Sequence, residues 1–234
     1  MLSKLKQVKA RGIMRSPNYL LKLYFFNIVF FLLLAAIVNS YSNIYNEISW
    51  WWFLCLIPLF LNRLIYIMIG SIILSVITVI KYQSEVSFLM VLMIPLSVYL
   101  GHLSAVFIHN AVHYNFKPPW LNRFVGELCA LHQVSAGFSV FQFIHFEHHA
   151  HWSDSSSDPH SPVGKTFWEF IDTSRGLIIS RLETIYKEIW PDNSLNWKTQ
   201  NSLLVLSRFS KVFFIFTLIG PKFFVLFFSS FLYI

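Results

Sequence analysis

Charge is what this chain has least of. Only 12% of its 234 residues are Asp, Glu, Lys or Arg, against about 25% in an ordinary soluble domain. Hydrophobic residues make up 56%, and Phe alone occurs 25 times. Residues 23–46, 64–80 and 86–116 contain no Lys, Arg, Asp or Glu. That composition argues against a soluble domain. A helix crosses a bilayer with roughly 20 apolar residues, and backbone in lipid must satisfy its own hydrogen bonds. The predicted fold class is therefore all-α: a polytopic transmembrane helical bundle with a cytoplasmic histidine-rich region.

Cysteine is nearly absent too. Cys55 and Cys129 stand far apart in or beside apolar sequence, and neither belongs to a CxxC pair. They read as packing residues, without a disulfide or a zinc site. Acidic residues are missing from the N-terminal arm, where Lys4, Lys6, Lys9, Arg11, Arg15 and Lys22 precede the first apolar run. Much of the net charge of +7 sits there. Its position favours a cytoplasmic N-terminus attracted to anionic lipid over a nucleic-acid surface. The long basic region and the lack of an A-x-A site argue against a secretory signal.

The chain divides into a basic cytoplasmic arm (1–22), transmembrane helices (23–113), a cytoplasmic or interfacial region (114–200) and one or more C-terminal transmembrane segments (201–234). The first span is expected near 23–39, followed by an outside loop, SYSNIYNEIS, that has no Lys or Arg. Trp50, Trp51 and Trp52 read as an interfacial anchor. Residues 50–80 form either one kinked helix or two shorter pieces. Residues 114–200 hold nine of the eleven acids. Within them, 165–190 alternates charge with apolar residues, as in one or two amphipathic helices on a membrane surface or capping a site. The final apolar stretch is interrupted by Arg208, Lys211 and Gly220-Pro221-Lys222.

Histidine is absent from the first 101 residues and the last 74; all nine lie between 102 and 160. His109 and His113 stand four apart, and His145, His148 and His149 follow an i, i+3, i+4 pattern. On helices both sets share a face, so two short pieces can aim five imidazoles at one volume. Imidazole suits iron, copper, nickel and zinc. A ligating histidine usually gives its other N–H to a carboxylate or carbonyl, and Glu147, Asp154 and Asp158 are near enough in sequence. His102 and His132 read as packing histidines. Other metal motifs fail. HExxH would need Glu at the position of Asn110, and Glu147 follows His145 too soon for HxxEH. Neither the P-C-x-x-C of deaminases nor the C-x-x-C-H of c-type haem occurs.

The HxxxH pair at 109–113, the HxxHH triple at 145–149, LNRFVGE at 121–127 between them and the trailing Asp158-Pro159 resemble the membrane fatty acid desaturase superfamily. Its relatives include alkane and lipid hydroxylases and carotenoid ketolases. The likeness covers roughly 100–162. It implies a non-haem diiron centre at the cytoplasmic membrane face, with His109, His113, His145, His148 and His149 as iron ligands. Asp158 and His151 are the candidates for supporting them. It further implies an acyl lipid substrate in membrane lipid, O₂, and a separate electron donor of ferredoxin, rubredoxin or cytochrome b5 type. No fused HPGG motif is present. Such iron centres remove hydrogen from unactivated C–H bonds and give an alkene or, in the related hydroxylases, an alcohol. The family's third histidine box has no counterpart here. The chain ends in FFVLFFSSFLYI, so the expectation is truncation before that box: a fragment, a split gene product or a catalytically inactive remnant. A metal carrier fits less well, because carriers place ligands within spans.

Overall fold

The computed structural model describes residues 16, 18–42, 94–135, 137–152, 154, 158, 161–191 and 194–219. Residues 50–80, with Cys55, the three consecutive tryptophans and the question of one helix or two, lie outside that set. So do His160, Pro159 and 220–234. Six helices carry the described residues, and no strand occurs among them. They are α1 (Tyr19–Ser42), α2 (Ile94–Val112), α3 (Trp120–His132), α4 (Phe138–Ala150), α5 (Phe167–Ile189) and α6 (Ser194–Ile219).

Local sequence sets most of these boundaries. α2 carries Pro95 in its first turn, where a missing N–H costs nothing. Pro119 likewise precedes α3 as its N-cap. α5 opens on a capping box. The Glu169 amide donates to the Thr166 hydroxyl, and the Thr166 amide donates to the Glu169 carboxylate. Pro191 disfavours helix at Trp190, where α5 gives way. Residues 165–190 thus hold one amphipathic helix, not two.

α1 begins four residues before the expected span, at Tyr19. Among the described residues, one stretch is long and apolar enough to cross a membrane, Tyr19–Ser40 with mean hydropathy 2.4. Phe25, Phe26, Leu33 and Ile37 of α1 are all more than half exposed, a surface that water solvates poorly and lipid solvates well.

The helices associate in two pairs. α1 lies along α6, where Phe31 meets Phe214 at 5.7 Å between ring centroids and the Lys211 ammonium sits over the Phe31 ring. α2 and α3 form a hairpin. The short turn and the hydrogen bond from Ser104 Oγ to the Cys129 carbonyl make it antiparallel. Asn122 clamps that turn: its carboxamide oxygen accepts from the Phe116 amide, and its NH₂ donates to the Phe116 and Pro119 carbonyls.

α4 is the buried centre. Nine of its thirteen residues are buried. Phe138, Val140, Phe143, Ile144 and Phe146 pack with Leu20 and Tyr24 of α1, Ile108 and Val112 of α2, and Leu182 and Ile185 of α5. Residues of LNRFVGE hold its start. Glu127 accepts from the Phe138 amide at the positive end of the helix. Arg123 pairs with Glu127 and donates to Ser139 Oγ, which also accepts from Tyr19. Gly126 leaves room for the Phe138 ring; a Cβ there would lie 2.2 Å from it.

Two of the three cations of α6 are accounted for by the turn before α4. Arg208 donates to the Val134 carbonyl at 3.0 Å, and Lys211 to the Ser135 carbonyl at 2.8 Å. Carbonyls in a turn outside a helix have no intrahelical partner and must be satisfied elsewhere. Val134 and Ser135 lie in the turn just past α3, and the two cations satisfy its carbonyls from another helix.

Candidate metal centre

The HxxxH pair sits at the end of α2. His109 lies in its last turn, and His113 lies one residue beyond, its amide still bonded to the His109 carbonyl at 3.3 Å. The helical register therefore runs through both, and their rings are 4.7 Å apart. α4 presents His145 and His149 one turn apart, rings 4.5 Å apart. One potential ligand nitrogen from each of His109, His113, His145 and His149 lies within 4.8 Å of the others. His145 is buried at the base, His149 is intermediate, and His109 and His113 are exposed.

The chemistry of this group fits a metal ion. His145 Nε2 faces His113 Nε2 at 3.0 Å and His149 Nε2 at 2.9 Å. A ring nitrogen carries one hydrogen or one lone pair, so ordinary hydrogen bonding serves two such neighbours poorly. Three lone pairs directed at a shared cation serve all of them. With bonds of roughly 2.0–2.1 Å, adjacent ligand nitrogens around a metal are about 3 Å apart, which is the spacing found. Burial first, and then the crowding of the His149, His109, His113 and His148 imidazoles, push the His145 pKa down to about 2. Its imidazole is thus neutral near pH 7, the form a metal takes. Phe141 stacks on the His145 ring, nearly parallel at 6.0 Å.

His148 stands apart from the group of four. At i+3 from His145 it is turned around the helix, with its ring 6.2 Å away. Its Nδ1 is 2.7 Å from Asp158 Oδ1. Asp158 is 4% exposed, and a buried carboxylate accepts, so Nδ1 donates and the lone pair of a neutral His148 falls on Nε2. Trp152 stacks on the same ring. Asp154 contributes to the local turn through its carbonyl, which accepts from the Asp158 amide.

His151 points its Nε2 at Arg181, 3.2 Å away, and lies 3.6 Å from Glu147 Oε2. Arg181, on α5, also donates to Glu147 Oε2 at 3.2 Å. Glu147 is fully buried. Neither Arg181 nor Phe141 was legible as part of the site. Arg181 is 34 residues from Glu147, and one more aromatic in a chain of many carries no signal. His102 is exposed on α2, and His132 lies at the end of α3 with its pKa lowered by burial. Burial raises the Cys129 thiol, keeping it protonated and inert.

A family model described as fatty acid desaturase matches residues 86–234, well over half of the chain and including both histidine boxes. The chain belongs to the fatty acid desaturase family. No curated protein matches it, and no solved structure does.

Proposed function

We propose that the chain is a membrane-bound, O₂-dependent acyl-lipid desaturase of non-haem iron type. The observation that carries this reading is the convergence of four imidazoles, from two helices, in a chain of this family. His109, His113, His145 and His149 would hold the metal. His148, oriented by Asp158, would offer Nε2 beside them, consistent with the two irons the family resemblance implies. When bound, iron with O₂ supplies an oxidant for C–H bonds that have no acidic proton for a side-chain base.

The protein's own part is to hold and to exclude. α4 sets His145 at the edge of the packed core and His149 one turn beyond it, and Phe141 stacks on one face of His145. The exposed sides of His109 and His113 leave an approach for an acyl chain. The overall reaction removes two hydrogens from adjacent methylenes. With two electrons and two protons from a separate donor, O₂ becomes two waters. The apolar, largely exposed α1 supports membrane insertion, the basic residues before it favour a cytoplasmic N-terminus, and the family resemblance implies a multi-pass arrangement with the histidines facing the cytoplasm.

The test is product analysis. Membranes containing the iron-loaded chain are given O₂, a reducing donor system and acyl lipid. A product lighter by two hydrogens is expected. A product heavier by one oxygen would assign hydroxylation instead, and no O₂ consumption by an iron-loaded chain would contradict both.

A further inference from the structure

Four histidines crowd the end of α4 and the residue after it: His145, His148, His149 and His151. A metal meeting this run has a selection problem, because His151 is only two residues from His149 and stands at the end of the helix with φ −120°. Helical geometry does not by itself hold such a residue away from the cluster.

The structure supplies a restraint. The Arg181 guanidinium carries only donors, so the 3.2 Å approach to His151 Nε2 makes that nitrogen the acceptor. Its lone pair, the one a metal would take, is directed at Arg181. The same terminal nitrogen of Arg181 donates to Glu147 Oε2. Glu147 is fully buried, and its other oxygen has no partner among the described residues. Arg181 is therefore the cation that compensates this buried carboxylate, and it is itself largely buried, with a side-chain exposure of 13%. One side chain thus engages α4 between its ligand candidates and the histidine just past them. α5 is in turn packed on the core through Leu182, Ile185 and Tyr186, which fixes where the guanidinium stands.

We propose that Arg181 is a positioning residue that withholds His151 from the metal and sets α4 through Glu147, so that His145 and His149 face His109 and His113. The proposal rests on the metal-centre reading above. It gives the amphipathic α5 a role in the site beyond packing: this helix selects which histidines bind.

Co(II) alone, added to the metal-free full chain in detergent, is the probe, with affinity and ligand-field absorption as readouts. Wild type is expected to bind and show a defined spectrum. His151→Ala is expected to keep both. Arg181→Gln is expected to bind about 10- to 100-fold more weakly and to show an altered spectrum as His151 gains access. Adding His151→Ala to Arg181→Gln is expected to restore the wild-type spectrum but not the affinity. Loss of binding or a changed spectrum in His151→Ala would overturn the proposal while leaving the metal reading standing. A wild-type spectrum and affinity in Arg181→Gln would overturn it too. If Arg181→Gln does not fold, the His151→Ala result decides by itself. Failure of wild type to bind Co(II) would remove the metal reading and this proposal together.

Discussion

Gly137 opens α4 at φ 126° and ψ 160°, a conformation essentially reserved for glycine. A Cβ here is strained even though no atom crowds it closely. Gly137→Ala is expected to cost about 1–3 kcal/mol, seen as a lower midpoint of thermal unfolding in detergent. Asp158 acts differently. Removing its charge in Asp158→Asn leaves His148 without its anionic partner, and metal affinity is expected to fall about 10- to 100-fold with little change in helix content. Titration of the metal-free chain with Co(II) checks it. The histidines of this site were legible because spacing on a helix dictates facing. Asp158 was legible because it is ten residues from its partner, in the segment that follows α4. That four imidazoles would group and His148 would turn to a carboxylate was not legible, since spacing at i+3 and i+4 both count as one face.

α4 works as an element held at both ends. Glu127 and Arg123 fix its start, Arg181 its finish, and apolar side chains its length. Gly126→Ala is expected to push the Phe138 ring and cost about 1–3 kcal/mol as overpacking. The same protein should then hold metal less well, because the helix carrying His145 shifts. α5 depends on its capping box. The Glu169 carboxyl is held below its usual 4.5 by the backbone and side chain of Thr166. Because the folded pKa is depressed, this contribution is fully present above about pH 4.5 and is lost as pH falls through the folded value. Thr166→Ala should therefore lower stability at pH 7 and have less effect at the acid end, by thermal unfolding across pH. The box was present in the sequence as Thr166-x-x-Glu169, a recognisable start signal. The roles of Arg208 and Lys211 were not, because the carbonyls they satisfy lie more than seventy residues away.

Among the described residues, four buried polar side chains, Ser139, Gln142, His145 and Glu147, lie on α4, and α1 carries much exposed apolar surface. Hydrophobic pattern reveals that a helix has an apolar face and leaves open which helix covers it. The α2–α3 hairpin follows from a short turn, whereas the α1–α6 pair joins opposite ends of the described chain. If α1 lies in lipid, the chain should stay with membranes through alkaline carbonate and high salt and leave only with detergent. The central claim concerns the four histidines, and elemental iron in the purified chain tests it most directly. Wild type and His145→Ala are expressed with abundant iron, extracted identically and compared at matched helix content. The account predicts bound iron in wild type and its loss in the variant. Iron absent from wild type, or retained unchanged by His145→Ala, would contradict it.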